Sequence, residues 1–106
     1  MELLEQCTFL LEKIKETRKS IIDNVVNIMK KHNVEEIYCN HLTYTPSLIK
    51  TMTLDSISLN NDKIDLWCSD EDEYDHVFAQ YLDIELLIDF YQWFIDYEDE
   101  LFEQDY

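Results

Sequence analysis

The side chains with chemical potential in this chain gather at one end. Residues 64–106 carry fifteen Asp and Glu and no Lys or Arg, a balance of −15, whereas residues 1–63 set eight basic against nine acidic residues, a balance of −1. The same 43 residues hold eleven of the fourteen aromatics, from Trp67 and Tyr74 through Trp93, Phe94 and Tyr97 to Phe102 and Tyr106. Carboxylates beside rings suit arginine-rich partners, because a guanidinium pairs with a carboxylate while stacking on an aromatic face. A net charge of −16 also repels nucleic acid and anionic membrane, so neither is expected as a direct partner.

Other chemistries fit less well. The run Asp70-Glu71-Asp72-Glu73-Tyr74-Asp75 invites a calcium reading, but from Asp70 the fifth position is Tyr74 and the sixth Asp75, where an EF-hand needs an acid and a glycine. Cys39, His41, Cys68 and His76 contain the elements of a zinc site without its spacing, and a cysteine on a small sheet is usually core. A nucleophilic thiol at Cys68 would need electropositive surroundings, and its neighbours are acids. The chain has no glycine, so every phosphate-cradling glycine loop is absent. We therefore expect no enzyme, no cofactor and no metal site.

The elements that position these groups follow from apolar period. Leu4, Cys7, Leu11, Ile14, Arg18, Ile21, Val25 and Ile28 recur at four and three, which predicts a helix from about Glu2 to His32. Arg18 alone interrupts the stripe. Ser20 and Asp23 have capping-box spacing, which allows a break near Thr17–Ser20, while an unbroken helix would offer a surface for a partner helix; Asn33 is placed to take the left-handed cap conformation. Short strands follow over Glu36–Thr45, Thr53–Leu59 and Ile64–Cys68, the last two joined by a four-residue loop that pairs Leu59 with Ile64 and Ile57 with Leu66. Residues 69–75 read as a solvated loop, and His76–Leu82 fits a short strand or a turn equally. Trp67, Phe90 and Trp93 read as core. Asp83 then caps a second long helix running to Asp105. The expected fold is α+β: one small domain over 1–106, with a long N-terminal helix, about three short antiparallel strands and a long acidic C-terminal helix.

Along that second helix, nine carboxylates would be spread over about 34 Å, roughly one per 3.8 Å. A DNA strand carries a phosphate about every 3.4 Å. Like charges three and four apart destabilise a helix, and no lysine relieves them, so the one-sided choice points to a surface meant for a basic partner. The expected partner-binding residues are Asp70, Glu71, Asp72, Glu73 and Asp75 in the loop, with Asp89, Asp96, Asp99, Glu100 and Glu103 on the helix. This charge profile resembles that of small phage-encoded inhibitors of restriction and CRISPR nucleases, a likeness of composition with no shared motif, and it implies a DNA mimic.

A second reading makes the protein an accessory domain that dimerises or docks through the apolar stripe Leu4–Ile28, its acids serving solubility. Three cysteines without CxxC spacing, an acidic N-terminus unlike a secretory signal, and apolar runs far below the roughly 20 residues of a membrane span together predict a cytoplasmic protein.

Overall fold

The computed structural model describes residues 2–103, in the order α1 (Leu3–Lys31), β1 (Glu36–Tyr38), β2 (Thr53–Asn60), β3 (Lys63–Ser69), β4 (Tyr74–Phe78), a 3₁₀ turn (Ala79–Tyr81), α2 (Ile84–Asp96) and α3 (Glu98–Phe102). The α+β class holds, with four strands where about three were expected. Asp105 and Tyr106, at the far end of the expected second helix, lie outside the described residues.

The α1 helix runs unbroken through Thr17–Ser20. Lys19 pairs with Asp23 one turn on at 2.8 Å, so Asp23 braces the helix here instead of closing a capping box. Arg18 breaks the apolar stripe because its guanidinium donates to the carbonyls of Gln80 and Leu82, fastening the 3₁₀ turn to the helix. The helix C-terminus closes as the sequence predicts. Asn33 takes φ 60°, its N–H donates to the Lys30 carbonyl at 3.0 Å, and the Val34 N–H reaches the Met29 carbonyl at 3.1 Å.

The strands form one antiparallel sheet in the order β1-β2-β3-β4. Leu59 pairs with Ile64 and Ile57 with Leu66, as apolar matching requires. The ladder adds Asn60↔Lys63, so the expected four-residue loop tightens to a two-residue turn. Asn61 and Asp62 provide its positive φ angles of 53° and 44°. The strand expected to reach Thr45 stops at Tyr38, because β2 bulges between Leu54 and Ser56 and offers one further rung, the Asp55 carbonyl to the Cys39 N–H at 2.7 Å.

Residues 69–75 are not all loop. The Asp70 carboxylate accepts from the N–H groups of Asp72 and Glu73, both at 2.8 Å, which folds the acidic run into a tight turn and returns Tyr74–Phe78 as an edge strand.

Helices cover one face of the sheet. Ile37, Leu54, Ile57, Ile64, Leu66 and Cys68 meet Ile22, Val25, Met29, Leu87, Phe90 and Phe94 in a single core. The α1 and α2 helices run in the same direction, since Arg18 reaches Leu82, Asn24 donates to the Tyr91 hydroxyl at 3.1 Å, and His32 stacks on Phe102 with ring centroids 3.9 Å apart. The second helix is not continuous. It stops at Asp96, Tyr97 turns (φ −107°, ψ 17°), and the chain restarts with Glu98, Asp99 and Glu100 in a new first turn. There the carboxylates meet the positive end of the peptide dipoles, and the turn lets Leu101 enter the core near β1.

Candidate partner-binding site

The exposed side of α2 carries Glu85, Asp89, Gln92 and Asp96, one residue per turn. Gln92 donates to the Asp96 carboxylate at 3.0 Å. Against this side lies the loop 39–52, pinned where the buried Trp93 indole N–H donates to the Tyr44 carbonyl at 2.9 Å and where Pro46 and Leu48 are buried. Between them is a concavity of about 470 Å³ that includes Tyr44, Ser47, Asp89, Gln92, Asp96 and Tyr97. Tyr97 also lines a neighbouring concavity of about 670 Å³ with Tyr38, His41, Thr43, Glu100 and Glu103. Tyr97, at the turn that ends the expected continuous helix, lines both, so the two acidic hollows adjoin there and are together called the trough. Asp89 and Asp96 line the first hollow beside Tyr44, and Glu100 and Glu103 line the second beside Tyr38 and His41, with Tyr97 common to both.

The structure does not bring all ten expected residues to that trough. Asp99 is exposed on α3 outside it. Asp70, Glu71, Asp72 and Glu73 form the β3–β4 turn, and Asp75 lies on β4, opposite Cys68. Asp70 shapes that turn, and its two backbone donors hold its carboxyl below the usual carboxylate value. Glu73 faces Lys50 at 3.7 Å, so the same loop that walls the trough also touches the acidic hairpin. Among the described residues, no Lys or Arg pairs with Asp89, Asp96, Glu100 or Glu103.

Sequence reasoning missed the open face of the sheet. Trp67, read as core, is 40% exposed and stacks on His76 with centroids 4.5 Å apart. His76 Nδ1 lies 2.9 Å from the buried Asp65 carboxylate, and Phe78 meets the same imidazole edge-on. The period-two alternation of Tyr74, His76 and Phe78 was the available signal, hidden by the acids before it. Phe90 and Trp93 are core, as read.

The two sheet cysteines are poorly placed for nucleophilic chemistry. Cys39 and Cys68 are buried, and burial first, then the Asp55 charge, pushes their thiols up to about 12 and about 11. Such thiols stay protonated at neutral pH. His76 sits on the opposite sheet face from Cys68, and among the described residues no group of three or more His, Cys, Asp or Glu converges as a metal site. Nor is any described helix long and apolar enough to cross a membrane.

No protein family, no curated protein and no solved structure matches this chain.

Proposed function

We propose that this protein is a non-enzymatic binding protein that presents the acidic, aromatic surface of residues 70–106 to a basic partner, a nucleic-acid-binding protein such as a nuclease. It acts in the cytoplasm as an inhibitor of DNA-mimic type, filling a groove that phosphates would otherwise occupy. The observation that supports this reading most directly is the trough. Four carboxylates line two hollows that share Tyr97, Asp89 and Asp96 with Tyr44 in one and Glu100 and Glu103 with Tyr38 and His41 in the other, and among the described residues no Lys or Arg pairs with them. Lysine and arginine side chains entering the trough would find paired charge and a ring to stack on. The three cysteines, free in this fold, are in keeping with a reducing compartment.

Competition tests the reading. The protein is titrated into a preformed complex between a basic nuclease and a short labelled duplex, with fluorescence anisotropy as readout. Release of the duplex, and loss of cleavage in parallel, is the expected result. Cleavage and anisotropy that stay constant across a panel of such nucleases would leave the mimic without a target class.

A further inference from the structure

Only the second half of α1 is used by the core. Ile21, Ile22, Val25, Val26 and Met29 are buried, whereas Leu3, Leu4, Leu10, Leu11 and Ile14 stay between 39% and 79% exposed. Helical period puts both sets on one side: the stripe that meets the sheet and α2 continues past Arg18 and runs out into solvent. The longest dimension of the molecule, 56 Å against 34 and 24 Å, is consistent with this projecting arm. The five exposed residues leave an apolar strip in water of the kind that marks an interaction surface.

Charge along the arm says what covers it. Glu2 and Glu5 stand at the tip, whereas at the base Lys13, Lys15, Arg18 and Lys19 exceed Glu12, Glu16 and Asp23 by one charge, Lys13 and Lys19 being paired along the helix with Glu16 and Asp23. Side by side in the same direction, two arms would set acid on acid and base on base. Head to tail they set tip on base. Setting Leu4 opposite Ile14 of a second copy also sets Cys7 opposite Leu11 and brings Glu5 within a turn of Lys15. In that register the tip of one arm meets, at Lys15, the near edge of a hollow of about 280 Å³ on the other, lined by Lys15, Arg18, Lys19, Ile22, Asp23 and Gln80.

We infer that the protein is an antiparallel homodimer, its two α1 arms (Leu3 to Ile14) packed on each other about a two-fold axis level with Phe9. The contact is isologous and closes on itself, so it gives a dimer and no fibre. The stripe beyond Ile21 takes no part, because it is already buried. The dimer stands or falls independently of the acidic trough, which lies on other elements.

Sedimentation equilibrium of the native chain over a concentration series tests this, with circular dichroism confirming the fold of each variant. A dimer is expected. Leu11→Asp, which touches no core residue, should weaken it at least about tenfold, the change appearing in both copies of a symmetric contact. Phe9→Asp, two residues from both Cys7 and Leu11 and so on the opposite side of the helix, should leave it intact. Mild oxidation reads the direction of the arms. Leu11→Cys should give a disulfide between Cys7 of one copy and the introduced thiol of the other, identified by peptide mass, while the native chain stays uncrosslinked. A monomeric native protein, or a dimer indifferent to Leu11→Asp, overturns the proposal. A rapid Cys7–Cys7 crosslink in the native chain overturns the antiparallel arrangement.

Discussion

Trp93 and Tyr44, 49 residues apart, are joined by one hydrogen bond from the buried indole N–H to the loop carbonyl at 2.9 Å. That bond holds the long loop between β1 and β2 against the acidic side of α2, and so makes a trough out of what would otherwise be a helix surface. Trp93→Phe keeps the aromatic core and removes the donor. It should cost about 1–2 kcal/mol in urea denaturation, with the larger effect a faster amide exchange over residues 41–48. Unchanged exchange in that loop would show that the bond does not shape the trough.

Arg18 supports the other end of the helical layer. Its guanidinium is the partner of the Gln80 and Leu82 carbonyls, which lead into α2. Arg18→Met fills the same space with an apolar stem and leaves both acceptors without it, so a loss of roughly 2–3 kcal/mol is expected from thermal or urea melts. Arg18→Lys should recover part of that, since one ammonium cannot span two carbonyls as a fork does.

The β3–β4 turn should respond to acid. Asp70 has its carboxyl held below the usual value by the Asp72 and Glu73 N–H groups. A depressed folded-state value gives stability that is present above the unfolded value and lost as pH falls through the folded one. The difference in stability between the native chain and Asp70→Ala should therefore be constant near neutrality and shrink only below about pH 4. An NMR titration of the Asp70 carboxyl with an ordinary midpoint would contradict this.

Cys39 and Cys68 give the opposite dependence at high pH. Their thiols are pushed up to about 12 and about 11, above the 9.0 of a free thiol, so the unfolded chain ionises first. Stability from this source is intact below about pH 9 and declines as pH rises toward the folded values. At about pH 8, iodoacetamide should label the exposed Cys7 and spare the other two until denaturant is added, as read by intact mass.

The sequence made some of this architecture legible and concealed the rest for physical reasons. Period and capping were enough for α1 and its Asn33 end, and apolar matching was enough for the β2–β3 register, because both rest on local spacing. Whether α1 breaks near Thr17–Ser20 was not legible, because the residue that interrupts the stripe, Arg18, is occupied by a long-range contact to the 3₁₀ turn. β4 was legible only as one of two options for His76–Leu82, and its start at Tyr74 was hidden because Asp70 uses its charge to build a turn, a role that a count of acids cannot distinguish from solvation. The turn at Tyr97 was hidden too, since the pull of Leu101 into the core is tertiary. Of the ten acids singled out, the trough collects Asp89, Asp96, Glu100 and Glu103, and it does so with a loop whose role carried no sequence signal.

The account turns on those four carboxylates. The most direct measurement is the affinity for a basic nucleic-acid-binding protein of the native chain and of the Asp96→Lys/Glu100→Lys variant, each followed across a salt series by calorimetry, with circular dichroism to verify the fold. Both positions are exposed, so the fold should persist. The native chain should lose affinity steeply as salt rises, and the variant should bind at least about a hundredfold more weakly with a much flatter salt dependence. Binding that the double reversal leaves unchanged, with the same salt slope, would contradict the account.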